Sequence, residues 1–156
     1  MEVRKISFSG KMLERGFWLY AWRITCGPAL CVYVGRTGDS SSPNAASPFA
    51  RMGQHLDFRD NAKGNAMMRN LRGKGVDPVD CEFEQTAVGP IFPEQAAMEE
   101  HQPYRDLNAA MEMALANELK GRGYDVLGQH ASRKKLDETL FKQVMALFED
   151  SFPPLK

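Results

Sequence analysis

Two aromatic strand motifs and one helical pair supply the side chains best suited to chemistry. The motifs are Trp18-Leu19-Tyr20 and Tyr33-Val34-Gly35. Arg51 and His55 follow at a spacing of four, which places both on one face of a helix. A guanidinium matches a phosphate in shape and charge, and an imidazole with a pKa of about 6.5 exchanges protons near neutral pH. In combination, these residue types suit acid–base chemistry on an anionic group.

Each of these patterns also has a simpler interpretation. A strand tyrosine commonly packs in the core with its hydroxyl hydrogen-bonded, and a single helix histidine is commonly a surface residue. Only the whole set, brought to one place by the fold, favours a chemical role.

The elements that must position these residues follow from hydrophobic periodicity and from glycine and proline. Residues 17–25 and 30–36 are predicted strands, joined by a Gly27-Pro28 turn into an antiparallel hairpin. Ser47 is a helix cap, and Pro48 suits the first helical position. Further predicted elements are a helix over 62–73, a strand over 81–87, a helix over 104–120, a short extended piece over 124–127 and an amphipathic helix over 135–149. The order predicts an α+β fold, a small antiparallel sheet of about three strands flanked by helices.

Composition and cysteine usage narrow the class of protein. The chain has 156 residues, with 43% hydrophobic and 26% charged, which is typical of one globular domain. It has neither an apolar run of about 18 residues nor the apolar core of a signal peptide, so we expect a cytoplasmic protein without membrane contact. Its three cysteines form no CxxC pair, which argues against a disulfide framework and a zinc site. We expect Cys26, Cys31 and Cys81 to be small buried hydrophobes.

Charge is distributed unevenly along a chain whose net charge is zero. Residues 1–75 hold 12 basic and 5 acidic residues, a balance of +7, and residues 76–156 hold 8 and 15, a balance of −7. The asymmetry fits a basic binding face, and it equally fits two halves that neutralise each other in the fold.

Taken together, the motifs resemble the GIY-YIG nucleases, a family that includes excision-repair and homing endonucleases. Members have an apolar-X-Tyr strand, a Tyr-apolar-Gly strand, and then a helix with an arginine and often a histidine four residues later. Residues 65–75 resemble the family's second helix and its Lys-x-Gly ending. The resemblance covers about 16–128 within a single domain of 1–156, followed by a helical extension over about 133–150.

The resemblance implies a metal-dependent endonuclease, with DNA as the expected substrate and Mg²⁺ or Mn²⁺ as the cofactor. The family carries a metal-binding glutamate in the helix after the third strand, and Glu112 falls at that place. Glu118 is the alternative, because it lies nearer the centre of the apolar stripe of this helix.

The resemblance also implies roles for the other residues of the motifs. Tyr33 would be the general base, Tyr20 would orient the water or Tyr33, and His55 would accept or relay the proton. Arg51 would stabilise the charge that develops on the phosphate. Since a free tyrosine has a pKa of about 10, we expect nearby cations, Arg36 and Arg51, to lower that of Tyr33.

A set of basic residues between the motifs forms the predicted nucleic-acid contacts, with a solvated helix face as the alternative. They are Arg36, Arg59, Lys63, Arg69, Arg72 and Lys74. His101 and His130 receive no predicted role.

Two departures from the family leave other functions open. The loop between Gly35 and Arg51 is longer than in many members, and Gly128 stands where the family often has an asparagine. A GIY-YIG-like domain that binds nucleic acid but cleaves weakly is therefore one alternative. Another is an interaction protein, or a homodimer, that docks through the C-terminal helix.

Overall fold

A computed structural model describes residues 1–59 and 61–155. The strands are β1 Gly16–Cys26, β2 Ala29–Arg36, β3 Glu82–Pro93 and β4 Asp125–Val126. The helices are α1 Pro48–His55, α2 Ala66–Gly73, α3 Met98–Gly121 and α4 Glu138–Ala146, with short 3-10 helices over Gly10–Leu13 and Pro78–Asp80. The predicted α+β class, a sheet flanked by helices, is confirmed.

The sheet has four strands in the order β3-β1-β2-β4, one more than predicted. β1 is antiparallel to both β2 and β3, as the hairpin pattern predicts. The predicted extended piece becomes β4, which pairs in parallel with β2 and makes the sheet mixed. β4 consists of two residues, Asp125 and Val126, which are too few to show a periodic pattern in the sequence.

Helices cover both faces of β1, which explains why its sequence is apolar almost throughout. Leu19 and Ala21 pack on one face against Met111 and Leu115 of α3 and against residues of α4. Tyr20, Trp22 and Ile24 point to the other face, where Met67, Met68 and Leu71 of α2 cover them. Alternation along β1 therefore sends Tyr20 towards the face that carries α2.

Four elements begin or end away from their predicted bounds. Helix α2 begins at Ala66 instead of 62, and α4 covers Glu138–Ala146 instead of 135–149. β3 continues past Gly89 to Pro93, because it pairs with β1 as far as Gly16 across an irregularity between Phe17 and Leu19. Gly89 has a φ of +151°, and a Cβ there would lie 2.7 Å from the Trp18 ring, so the strand continues only because this residue is glycine.

Helix α3 begins at Met98, before Pro103, whereas the sequence predicts a start near 104. The added turn is held by tertiary contacts. His101 is fully buried, its Nε2 lies 3.0 Å from the Gly38 carbonyl oxygen, and its ring centroid lies 4.8 Å from that of Phe17. These contacts offset the backbone hydrogen bond that proline cannot donate.

Helix α4 packs on the rest of the chain through Val144 and Met145, which are 4% and 6% exposed. Phe148, just beyond its end, is completely buried in the same core. Leu147 is 66% exposed, so the apolar stripe is only partly covered. Among the described residues, no helix combines the length and apolar character needed to cross a bilayer.

The prediction against a disulfide is wrong, because Cys26 and Cys81 are bonded. Thr25 pairs with Glu82 across antiparallel β1 and β3, so the next pair outward brings the two cysteines together with their Cα atoms 4.4 Å apart. Their separation of 55 residues carries no recognisable spacing. Cys31 is free and buried, as predicted.

Ion pairs connect the basic first half of the chain to the acidic second half. They are Arg15–Glu94, Arg23–Glu84, Arg36–Glu112 and Lys74–Asp125. Mutual neutralisation therefore accounts for part of the charge asymmetry, and four of the basic residues are engaged within the fold.

Candidate active site

The position of Tyr20 in the β1–β2 hairpin depends on a glycine, Gly35, in the neighbouring strand. Tyr20 pairs directly with Gly35, and a Cβ at residue 35 would lie 2.7 Å from the Tyr20 hydroxyl oxygen. The fully buried tyrosine thus crosses over β2. Its hydroxyl donates to the Arg36 carbonyl oxygen at 3.2 Å and shares a hydrogen bond of 2.6 Å with Nε2 of His55.

Replacement of Gly35 by alanine is expected to destabilise the fold by about 1–3 kcal/mol, because the methyl group would displace the Tyr20 ring in a closely packed core. Thermal unfolding followed by circular dichroism measures the effect. Gly53→Ala is the matched control, since Gly53 lies within helix α1 and the added methyl group would have no atom within 4 Å beyond its chain neighbours and the backbone of its own helix. Its expected effect is neutral or slightly stabilising. Equal melting temperatures for both variants would contradict this account of Gly35.

Helix α1 positions Arg51 and His55 as the cap signals predict. Ser47 caps it by accepting a hydrogen bond from the Ala50 amide at 3.2 Å, and Pro48 occupies its first turn. His55 is 2% exposed, and its ring centroid lies 5.1 Å from that of Tyr33. One helical turn away, Arg51 Nη2 lies 3.0 Å from Asp39 Oδ2, and its charge acts on both tyrosines.

Helix α3 brings Glu112 to the same place from the other side. Its Oε2 accepts a hydrogen bond from Arg36 Nε at 2.8 Å, and its Oε1 lies 3.7 Å from His130 Nδ1. The His130 ring in turn lies 6.4 Å from the Tyr33 ring, between centroids. Glu118 pairs instead with Arg122, at 3.0 Å near the end of the helix. Of the two glutamates, Glu112 is therefore the one beside the tyrosines.

The two tyrosines are held neutral, which is the opposite of the predicted shift. Burial and the charge of Glu112 raise the pKa of Tyr33 to about 12, and Arg51 offsets only part of this. Burial likewise raises the pKa of Tyr20 well above its ordinary value, again against the influence of Arg51. Arg51 lowers the Tyr33 pKa as expected, but the expected net decrease is wrong, because burial and the Glu112 carboxylate outweigh the cation.

Burial and the Arg51 charge lower the pKa of His55 to about 4, so this imidazole is uncharged at neutral pH. Glu112 behaves differently. Burial raises its pKa, but the hydrogen bond from His130 and the charge of Arg36 outweigh burial and hold it below its ordinary value. The cluster therefore places the ionised carboxylate of Glu112 near three neutral side chains, those of Tyr20, Tyr33 and His55.

Most of the predicted nucleic-acid contacts are engaged by other residues of the fold. Only Arg36 belongs to the cluster, and Arg69 is close enough for its charge to act on Tyr33. Others make contacts within the fold. They are Arg59 with Asp57, Arg72 with the Phe58 carbonyl oxygen, and Lys74 with Asp125. Lys63 is exposed.

Two members of the cluster have no predicted role, His130 and Asp39. His130 follows β4 in a loop, and its Nε2 lies 3.2 Å from the Leu127 carbonyl oxygen, which fixes its ring. No sequence spacing connects it to Glu112. Asp39 lies in the polar loop after β2. The sequence could have indicated its role only through the opposite charge of Arg51, its partner further along the chain.

Gly128, at the position where the family resemblance leads us to expect asparagine, has a φ of +81°. A Cβ at this position would lie 3.2 Å from Asn70 Nδ2, so an amide from α2 fills the space beside it. This amide donates to the Ala66 carbonyl oxygen at 2.8 Å. An asparagine at 128 would face both backbone strain and this neighbour.

Comparisons of the chain with family models, curated proteins and solved structures find no match.

Proposed function

We propose that this chain is a GIY-YIG-type endonuclease that hydrolyses phosphodiester bonds, with DNA as the substrate and one divalent cation as the cofactor. The observation that carries the proposal is the convergence of Tyr20, Tyr33, Arg51, His55 and Glu112. These residues come from three separate parts of the chain and meet around one partly exposed carboxylate, Glu112, whose side chain is 24% exposed. Structural tyrosines and surface charges have no need of this arrangement.

The donor set around Glu112 fits a cation held mainly by one carboxylate. One oxygen of Glu112 is engaged by Arg36, and the other faces His130 Nδ1. The contact of His130 Nε2 with the Leu127 carbonyl oxygen holds the ring in place beside the carboxylate. Among the described residues there is no group of three or more metal-binding side chains, so water and substrate oxygens would complete the shell, as Mg²⁺ tolerates.

The residues of the chain divide the hydrolysis between them. A bound cation supplies charge stabilisation to the phosphoryl and leaving oxygens. Arg51 offers a second positive charge to the same phosphate, in a site where burial strengthens the interaction. Water forms the new bond to phosphorus as the bond to the leaving oxygen breaks. Because Tyr33 is neutral, it would take the water proton only as its own hydroxyl proton passes to the neutral imidazole of His55, whose ring centroid lies 5.1 Å from that of Tyr33. The Tyr20–His55 hydrogen bond orients that imidazole.

Proton acceptance by Tyr33 and charge at Glu112 are coupled. The negative charge of Glu112 is the second cause, after burial, of the raised Tyr33 pKa. Neutralising this charge would remove that contribution, so Tyr33 would release its own hydroxyl proton more readily when a cation lies at Glu112.

A second candidate function is nucleic-acid binding with little cleavage. Gly128 favours it, because the asparagine that accompanies the family's site is replaced by a residue without a side chain. The two functions share the binding surface and differ only in turnover.

The test is cleavage of supercoiled plasmid with Mg²⁺ or Mn²⁺, with EDTA as the control. Arg51→Ala serves as the disabled variant, and Lys142→Ala on the surface of α4 serves as the matched loss of one charge. The proposal requires that the wild type and Lys142→Ala nick the plasmid in the presence of metal. It also requires that EDTA or Arg51→Ala abolishes the nicking. Salt-sensitive DNA binding without nicking would establish the second candidate instead, and absence of both would reject the nuclease class.

A further inference from the structure

A cleft of about 310 Å³ opens beside the candidate active site. Arg36, the partner of Glu112, lines it, as does Asp39, the partner of Arg51. Nη1 of Arg36 is buried and has no hydrogen-bond partner among the residues of 1–59 and 61–155. A buried donor without a partner is unusual and is satisfied by an acceptor that enters the site.

The cleft is positively charged. Its charged lining residues are Arg36, Arg105, Arg133, Lys134, Asp39 and Asp106, four cations against two carboxylates. Both carboxylates are paired, Asp39 with Arg51 at 3.0 Å and Asp106 with Lys134 at 2.8 Å. Arg36 is paired with Glu112, so the excess positive charge of the lining comes from Arg105 and Arg133. The cleft therefore attracts anions despite the zero net charge of the chain.

Two arginines of the cleft remain available to a ligand. Arg133 is exposed and forms no ion pair within the described part of the chain. Arg105 makes one long contact, from Nη1 to the Ser40 carbonyl oxygen at 3.4 Å. Guanidinium groups without an ion-pair partner can bind phosphate oxygens, which they match in geometry and charge.

The cleft is aligned with Glu112. Arg105 and Glu112 lie seven residues apart on one face of α3, a distance of about 10 Å along the helix axis. That distance corresponds to about three nucleotide steps of a B-form strand. Between them lies Ala109, which also lines the cleft and leaves room for a backbone to approach.

The segment that follows β4 forms the opposite wall. It runs along α3, with His130 beside Glu112, the Ser132 amide 3.2 Å from Met113 Sδ, and Lys134 paired with Asp106. This wall is anchored at both ends, so Arg133 projects from a positioned segment.

We propose that this cleft holds the phosphate backbone of the strand that is cut, on one side of the scissile phosphate, with Arg105 and Arg133 as its phosphate contacts. The proposal rests on the proposed nuclease function and gives it a binding surface. It replaces the α2 side, where Arg59 and Lys74 are paired with Asp57 and Asp125, as the main electrostatic contact.

The experiment measures binding of a fluorescein-labelled DNA duplex by fluorescence anisotropy in the presence of EDTA. Salt is varied over about 50–200 mM, because affinities that depend on phosphate contacts fall steeply in this range. Three double variants, each removing two positive charges, are compared. They are Arg105→Ala/Arg133→Ala in the cleft, Arg59→Ala/Lys63→Ala on the α2 side and Lys120→Ala/Lys142→Ala as the control on exposed helix surfaces. Circular dichroism confirms that each is folded.

We expect the cleft variant to bind about tenfold more weakly and to lower the slope of log affinity against log salt by about 2, with the control unchanged. Wild-type affinity in the cleft variant, or an equal loss in all three variants, would overturn the proposal. Plasmid nicking by the wild type, measured in parallel, distinguishes failure of the cleft proposal from failure of the proposed nuclease function. Nicking with unaltered binding of the cleft variant rejects the cleft alone, whereas a wild type that neither nicks nor binds rejects the nuclease function with it.

Discussion

Replacement of Glu112 by glutamine is expected to slow metal-dependent cleavage at least about a thousandfold, a loss of about 4 kcal/mol of transition-state stabilisation. The amide keeps the shape of the side chain but removes the charge that would hold a cation. It also removes the ionic partner of Arg36. Single-turnover cleavage of plasmid with Mn²⁺ measures the rate, and calorimetric titration with Mn²⁺ measures the loss of cation binding directly.

Glu118→Gln is the matched control, because Glu118 is the alternative metal-binding glutamate predicted from the sequence. It lies on the same helix but pairs with Arg122, so its loss should leave both rate and cation affinity unchanged. His130→Ala belongs in the titration as well, and we expect an intermediate loss of affinity. Retained cleavage by Glu112→Gln together with loss in Glu118→Gln would reverse the assignment.

Removal of the Cys26–Cys81 disulfide is expected to lower the free energy of unfolding by about 4 kcal/mol, from the chain entropy that a 55-residue separation restricts in the unfolded state. Urea unfolding of the Cys26→Ser/Cys81→Ser protein against the oxidised wild type measures the difference. The disulfide joins the ends of β1 and β3, so its loss acts on the central strand of the sheet.

A reducing agent provides the control for this measurement. Dithiothreitol should destabilise the wild type towards the double variant and leave the double variant unaffected. Thiol titration of the unfolded, unreduced wild type should find one free thiol, that of Cys31. Three titratable thiols and no response to the reductant would show that the bond is absent in the purified protein. The cytoplasmic location stays a prediction.

Local signals explain which parts of the structure could be predicted from the sequence. The apolar run of β1, the Gly27-Pro28 turn and the cap at Ser47 each act within a few residues, and each element appears where predicted. The parallel pairing of β4 with β2 and the first turn of α3 could not be predicted, because contacts distant in sequence hold both in place. Tertiary contacts override local preference at these points.

The same division applies to the candidate site. Arg51 and His55 share a helix face at a spacing that the sequence displays, and Tyr20 and Gly35 share a hairpin register. His130 reaches Glu112 only through the path of the loop after β4, which no periodicity describes. The direction of the Tyr33 pKa shift depends on burial and on a carboxylate from another helix, so the arginines alone gave the wrong sign.

The ion pair between Arg36 and Glu112 joins residues 76 positions apart, and His130 completes the cluster only beyond β4. During folding, the β1–β2 hairpin and α1 can form from contacts close in sequence, which places both tyrosines and Arg51 early. The carboxylate and the basic wall arrive only when α3 and the following loop dock. If the chain has the nuclease function proposed above, an incompletely folded chain would carry the two tyrosines and Arg51 without the carboxylate and the basic wall. Cleavage would then begin only when the last long-range contact has formed.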